Sequence, residues 1–233
     1  MDLKTNLIER RKMEKSAFRR ALPYVIAVII VTTLVALLIA GSPRQLQTLY
    51  PGEVRNYRGE NLSSIANVVE NAIRGTQYIN ESTYRLSITG LVEEPIQLTY
   101  NEVVNSHQKY MKAVTIYCVE GWDATILWEG ILVKDLLLQA GANMRAPAVI
   151  FFASDGYSTA LPLDYIINKN ILLAYKMNNL TIPPERGFPF ELVAESQYGY
   201  KWIKWLTKIE VSDNADYRGF WENRGYPNNA TIR

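Results

Sequence analysis

A long stretch without a single charged residue divides this sequence into two unequal parts. Residues 21–40 are rich in Val, Ile and Leu, and residues 1–20 before them carry a cluster of arginines and lysines. A helix needs about 20 apolar residues to cross a bilayer, and basic flanks stay on the cytoplasmic side. The sequence therefore predicts a cytoplasmic segment 1–20, a transmembrane helix 21–40 and a C-terminal part on the extracytoplasmic side of the cell membrane.

The same N-terminus also fits a cleavable signal peptide. We favour a retained anchor, because the apolar run is longer than a usual signal core and residues 39–42 are a poor cleavage site. Arg19 and Arg20 stand just before the apolar run and are compatible with twin-arginine export. The sequence leaves the export route and the cleavage of the anchor open.

The residues after the apolar run are numerous enough for one sizeable hydrophobic core. Residues 41–60 hold several prolines and glycines and are predicted to form a linker, which leaves residues 61–233 as a single domain. The formal net charge of the chain is only +2. The net charge therefore gives no indication of a nucleic-acid partner.

Periodicity predicts that this domain is rich in sheet. Apolar residues spaced by three and four predict helices at 61–74 and 133–140, and Thr99 with Glu102 has the spacing of a capping box that opens a short helix. Alternating or continuous apolar residues predict strands at 84–90, 114–118, 147–153, 159–163, 171–177, 190–194 and 203–211. Strands outnumber the scattered helices, so the predicted fold class is mixed α+β.

The chain has one cysteine and one histidine. No intrachain disulfide can form, and a zinc site would need more ligands than these two. Cys118 ends a predicted strand and precedes a Glu120-Gly121 turn. A free cysteine is often a small buried hydrophobic residue, but the position of Cys118 at the rim of a sheet is one that functional residues favour. A metal-binding thiolate, a peroxidatic thiol and a catalytic pair with His107 stay open here, although an exposed loop position is the favoured interpretation of His107.

The segment around this cysteine resembles a known family. Residues 117–122 (YCVEGW) and 128–137 (WEGILVKDLL) are similar to the cysteine segment of the sulfite oxidase and molybdopterin-binding oxidoreductases, which include the periplasmic methionine sulfoxide reductase catalytic subunit. Further similar segments occur in the family's order at 84–92, 154–158, 182–190 and 198–204. The resemblance covers residues 61–221 and implies a sulfite-oxidase-type molybdopterin-binding fold.

In that family a pyranopterin holds molybdenum through its dithiolene sulfurs, and one cysteine adds a further sulfur ligand. The resemblance implies that Cys118 is this metal ligand and that the cofactor is molybdenum–molybdopterin, with the tungsten form also open. The residues expected against the cofactor are Asn71, Cys118, Ser154, Arg186, Lys201, Trp202, Ile203 and Lys204. The residues predicted to be catalytic are Cys118, Glu120 and Asp155, with Trp122 and Tyr157 as further candidates for the substrate pocket.

Two residues depart from the methionine sulfoxide reductase branch. Arg186 stands where that branch has an asparagine, and Glu191 stands where it has a cofactor-binding arginine. Because a carboxylate cannot act as an anion clamp, Arg186 is expected to supply the positive charge. The nucleotide form of the cofactor and the substrate are therefore not transferred from that branch.

The implied function is oxygen-atom transfer on a small sulfite- or sulfoxide-like substrate by a molybdenum oxidoreductase. With one cysteine the chain has no haem-attachment motif, so the expected electron partner is separate, a membrane cytochrome or a quinone-linked protein. Two alternatives stay open: a membrane-tethered binding or scaffold protein of the same fold without metal, which Glu191 favours, and a thiol redox protein that uses Cys118. The aromatic, glycine-rich residues 217–226 are expected to cover the domain or to bind a partner.

Overall fold

The computed structural model describes residues 22–24, 26, 28–33 and 50–232. The chain forms two compact units, Met1–Gln47 and Thr48–Arg233. The described residues of the first unit are helical, whereas the predicted basic segment 1–20 and the rest of the predicted transmembrane helix 21–40 lie outside the described residues. No helix within the described ranges has both the length and the hydropathy that crossing a membrane requires.

The second unit is built mainly from strands, which confirms the sheet-rich α+β prediction. The strands are β1 Asn56–Tyr57, β2 Glu60–Asn61, β3 Leu86–Gly90, β4 Ile96–Leu98, β5 Lys109–Tyr117, β6 Asp123–Leu132, β7 Ala148–Ala153, β8 Ser158–Pro162, β9 Leu172–Met177, β10 Leu180–Thr181, β11 Glu191–Val193 and β12 Leu206–Ser212. One sheet has the order β10-β9-β6-β5, with β11 also paired to β9. The other has the order β4-β3-β12-β7-β8, in which β12 is parallel to β3 and antiparallel to β7.

Three short α-helices connect the strands: α1 Tyr100–Asn105, α2 Val133–Gln139 and α3 Leu163–Asn168. Single 3-10 turns lie at Ile65–Asn67, Pro184–Arg186, Gly199–Lys201 and Glu222–Arg224. The predicted capping box opens α1, since Thr99 Oγ1 accepts from the Glu102 N–H at 3.2 Å and Glu102 Oε2 accepts from the Thr99 N–H at 2.7 Å. One hydrophobic core unites the buried side chains of both sheets.

The helix predicted over 61–74 is wrong. Only Ile65–Asn67 is helical, as a 3-10 turn, and this turn ends at Val68, which has an extended backbone conformation. The Glu53 carboxylate accepts hydrogen bonds from the Ser64 hydroxyl and the Ile65 N–H, and it also accepts from Asn178. The apolar spacing reflects the burial of Leu62, Ile65 and Val68 in the core and not a helix, because tertiary contacts can override local helix propensity.

The last strand begins later than the sequence pattern predicts. Trp205 has a φ of +52°, which breaks the extended chain, and β12 starts at Leu206. A bulge between Leu206 and Lys208 then shifts the alternation, so Leu206 and Ile209 are both buried although they are three residues apart. Lys204, which lies within the predicted strand 203–211, precedes the observed strand instead.

Candidate active site

The longest strand pair of the domain positions Cys118. Strands β5 and β6 pair without interruption from Lys109 with Ile131 to Tyr117 with Asp123, and residues 118–122 connect them at the rim. The Cys118 N–H donates to the Trp122 carbonyl at 2.9 Å, and the Gly121 N–H donates to the Cys118 carbonyl at 3.1 Å. Gly121 has a φ of +90°, a conformation that favours glycine. The turn predicted after Cys118 is thus present.

A cavity of about 340 Å³ opens beside this turn. Its lining residues come from segment 68–73, from the β5–β6 turn, from the loop after β7 and from the chain between β10 and β12. Most of the predicted site residues line it, namely Asn71, Cys118, Glu120, Trp122, Asp155, Tyr157, Arg186, Trp202 and Lys204. Residues that are far apart in the sequence therefore meet in one concave site, the usual form of a ligand site.

Polar groups surround the Cys118 sulfur. The Asn71 amide nitrogen lies 3.8 Å from Cys118 Sγ and 3.3 Å from Glu120 Oε2, and the Glu120 N–H approaches the sulfur at 3.5 Å. Burial raises the pKa of the Cys118 thiol, an effect that the Glu120 N–H opposes and the Glu120 carboxylate reinforces. Without a bound cation the sulfur is therefore held as a thiol, whereas metal coordination would deprotonate it.

Arg186, Glu191 and Lys204 form a second group of lining residues, the charged cluster. Glu191 is only 5% exposed, and burial raises the pKa of its carboxyl to about 8 although Lys204 and Arg186 act in the opposite direction. Burial likewise lowers the pKa of the Lys204 ammonium, whose nitrogen lies 4.4 Å from the centre of the Trp205 ring. Within the described residues, Nε and Nη1 of Arg186 are buried and have no hydrogen-bond partner.

Three residues predicted to bind the cofactor do not line the cavity. Ser154 is exposed in the turn after β7, where its N–H donates to the Trp205 carbonyl at 3.1 Å. Ile203 is fully buried in the core. Lys201 is also buried, and its ammonium binds the Glu222 carboxylate at 2.5 Å, the Asn228 side-chain oxygen at 3.1 Å and the Ala160 carbonyl at 3.2 Å. Cofactor binding by these three residues stays a prediction, and for Lys201 all three N–H donors already have partners.

His107 and the described part of the predicted linker are bonded to other parts of the domain. Both ring nitrogens of His107 have partners, the Val103 carbonyl at 3.1 Å and Gln139 Oε1 at 3.0 Å, and His107 does not line the cavity. A Cys–His catalytic pair is therefore wrong. The linker predicted over 41–60 is bonded to the domain from Tyr50 onward, where the Tyr50 hydroxyl donates to Glu185 Oε1 at 2.7 Å.

Sequence reasoning missed three aromatic residues of the site. Tyr200, Trp221 and Tyr226 line the cavity together, and two of them belong to the aromatic and glycine-rich residues 217–226. That composition predicted that the segment covers the domain or binds a partner, and it does cover the domain. The composition alone could not place its rings in the cavity that Cys118 lines, because this depends on how the chain returns after β12.

The cavity suits the cofactor that the sequence resemblance implies. A soft sulfur donor at its wall suits a thiophilic metal. Among the residues that the structure describes, Nε and Nη1 of Arg186 and the indole N–H of Trp122 are buried donors without a partner, and such donors need acceptors from a ligand. An anionic, ring-containing ligand with phosphate oxygens would satisfy them.

Comparisons with known proteins agree with this geometry. The family model of the oxidoreductase molybdopterin binding domain matches residues 73–221. The chain is 35% identical over 150 residues to the uncharacterized oxidoreductase YuiH of Bacillus subtilis (strain 168), and the match covers 64% of this chain and 75% of YuiH. It is 30% identical over 156 residues to the protein-methionine-sulfoxide reductase catalytic subunit MsrP of Gluconobacter oxydans (strain 621H), covering 60% of this chain and 50% of MsrP.

A solved structure has the same fold. The sulfane dehydrogenase SoxCD of Paracoccus pantotrophus superposes with a TM-score of 0.57 at 20% identity, covering 62% of this chain and 41% of that one. This likeness concerns the fold alone, and the chain spans half or less of SoxCD and MsrP. The family match and the cavity lined by Cys118 lead to one conclusion. The chain belongs to the sulfite-oxidase-type oxidoreductases with a molybdopterin-binding domain, and its cofactor is molybdenum–molybdopterin.

Proposed function

We propose that this molybdenum oxidoreductase transfers an oxygen atom to or from a small sulfur compound, sulfoxide- or sulfite-like. The observation that carries the proposal is the meeting of Cys118, Asn71 and Glu120 in one cavity with the unpaired donors of Arg186. The relative named for methionine sulfoxide supports a sulfur substrate.

In the proposed reaction, different residues bind the metal, bind the anionic part of the cofactor and orient the Glu120 carboxylate. The bound cofactor supplies the redox chemistry. Cys118 would hold the metal through its sulfur, and the donors of Arg186 would bind the anionic part of the cofactor. Asn71, 3.3 Å from Glu120 Oε2, fixes the orientation of that carboxylate beside the sulfur.

Glu120 and Asp155 are the proposed proton carriers. Reduction of a sulfoxide takes two electrons and two protons and releases the oxygen as water, whereas oxidation of sulfite consumes water and releases two protons and two electrons. Glu120 Oε2 lies 3.8 Å from Cys118 Sγ. Asp155 is buried, and its Oδ1 accepts from the Tyr157 N–H at 2.9 Å. Either carboxyl would hold or release a proton at a side-chain oxygen near the substrate.

Electrons would pass to or from a separate membrane partner, a cytochrome or a quinone-linked protein. A relative that is itself named a catalytic subunit supports this arrangement. The proposed location is the extracytoplasmic side of the cell membrane, with residues 21–40 as anchor. In support, the described residues of that stretch are helical, and the Thr32 hydroxyl donates to the Ile29 carbonyl at 3.0 Å, which is how hydroxyl side chains are accommodated in apolar helices.

The test is a dye-coupled assay on the detergent-solubilised, molybdenum-loaded chain. Reduced viologen serves as electron donor for a panel of sulfoxides, and ferricyanide serves as electron acceptor for sulfite. We expect turnover in one direction that is lost in Cys118→Ser and retained in the surface variant Lys109→Ala. Full molybdenum loading without turnover of any sulfur compound would refute the proposal.

A further inference from the structure

The C-terminal segment, residues 217–226, contributes two aromatic rings to the cavity that Cys118 lines. We infer that this segment selects the substrate and that it favours an uncharged sulfur compound with an apolar group beside the reacting sulfur. The inference rests on the proposed function, which it deepens by naming the substrate class. Trp221 and Tyr226 line the cavity beside Tyr200, and Trp221 remains 37% exposed.

The three aromatic rings form a continuous surface, the aromatic wall. The ring centroids of Trp221 and Tyr226 are 5.2 Å apart, and those of Tyr200 and Tyr226 are also 5.2 Å apart. The Tyr200 hydroxyl donates to the Pro227 carbonyl at 2.9 Å. Because this hydroxyl is already bonded, Tyr200 offers the cavity chiefly its ring. Such faces bind apolar groups and make favourable contacts with sulfur.

Buried polar contacts hold this wall in place. The Lys201–Glu222 ion pair is 2.5 Å long, and its side chains are 1% and 0% exposed. The Thr159 hydroxyl donates to the same Glu222 oxygen at 2.7 Å. At Gly219 the chain packs so closely on β8 that an added Cβ would lie 2.0 Å from the Ser158 carbonyl oxygen. The wall is therefore preformed, which lowers the ordering cost of substrate binding.

The charges of the cavity argue against an inorganic oxyanion as the preferred substrate. Glu120 lies beside Cys118, and Glu70 and Asp155 also line the cavity. The cofactor's own anionic group would occupy the donors of the lining cation Arg186. An uncharged substrate meets no repulsion from these carboxylates, whereas a doubly charged one does.

The test compares Trp221→Ala with the control Tyr110→Ala in the full, molybdenum-loaded chain. Tyr110 is an exposed aromatic residue of β5 that does not line the cavity. With reduced viologen as electron donor, we expect the ratio of kcat/KM for methyl phenyl sulfoxide to that for dimethyl sulfoxide to fall about tenfold in Trp221→Ala, mainly through KM. The ratio should stay unchanged in Tyr110→Ala, and Tyr226→Ala gives a second, independent variant. An unchanged ratio in both wall variants would overturn the inference.

Calorimetric binding separates this inference from the proposed function. Without a reductant, methyl phenyl sulfoxide should bind the wild-type chain and Tyr110→Ala equally, and Trp221→Ala about tenfold more weakly. If these binding differences appear but no sulfoxide is turned over, the proposed reaction fails and the wall stands. If all variants bind alike, or if the wild type binds sulfite more tightly than the sulfoxide, the wall does not select the substrate.

Discussion

Replacing Glu222 with alanine should be the most destabilising change in the C-terminal part of the chain. The substitution leaves the Lys201 ammonium buried at 1% exposure without its counter-ion, and the Thr159 hydroxyl loses its acceptor. Breaking a buried ion pair by removing one partner costs about 3–5 kcal/mol. We therefore expect the free energy of unfolding to fall by about that amount, measured by urea unfolding followed by tryptophan fluorescence.

A surface ion pair of the same chain provides the control. Lys208 and Glu210 lie 2.8 Å apart but are 37% and 32% exposed, and exposed pairs contribute about 0–1 kcal/mol. Glu210→Ala should therefore leave the urea midpoint nearly unchanged. A loss below about 1 kcal/mol in Glu222→Ala would refute the reasoning, because burial would then not determine the energy of this pair.

Variants of the Lys201–Glu222 pair test whether Lys201 has a structural role or binds the cofactor. In the double variant Lys201→Met with Glu222→Leu, no charge is left unpaired, and such apolar replacements of a buried pair are often neutral. If Lys201 serves only to hold the C-terminal segment, the double variant should recover most of the stability and keep its molybdenum. Loss of the cofactor from a stable double variant would instead support the sequence-based prediction that Lys201 binds it.

Two further predictions concern the charged cluster. Folding raises the pKa of Glu191 from 4.5 to about 8, so the stabilisation from its proton is complete below pH 4.5 and is lost as pH rises through about 8. The free energy of unfolding of the wild type should therefore fall relative to that of Glu191→Gln over this pH range. A difference between the two proteins that does not change with pH would contradict the prediction. Arg186→Ala removes the unpaired buried donors, so its pterin content, measured by fluorescence after extraction, should fall below that of the surface variant Arg145→Ala. Equal pterin contents would show that Arg186 does not bind the cofactor.

Local patterns predicted the strand rim that carries Cys118. Alternation along β5 and the glycine after Glu120 depend only on side-chain periodicity and turn chemistry, and both appear in the structure. The Thr99–Glu102 capping box is equally local, since its partners are three residues apart. Most of the predicted site residues also meet in the cavity, because the family resemblance carries the long-range information that periodicity lacks.

The features that the sequence did not predict correctly share a physical cause, which is contact between distant parts of the chain. The Ser63 N–H donates to the Thr125 carbonyl of β6, and residues 61–74 contain one 3-10 turn instead of the predicted helix. The bulge at Leu206 exists only where β12 pairs with β7. Nothing in the sequence near Lys201 indicates that its partner is Glu222, which lies in the part of the chain that returns after β12.

The central claim is that Cys118 supplies a sulfur ligand to molybdenum in this cavity. X-ray absorption at the molybdenum edge, on wild-type and Cys118→Ser protein with pterin content measured in parallel, tests it most directly. We predict near one molybdenum per chain in the wild type, and one sulfur fewer around the metal in the variant, with the pterin retained. The same number of sulfur ligands in both proteins would contradict the account.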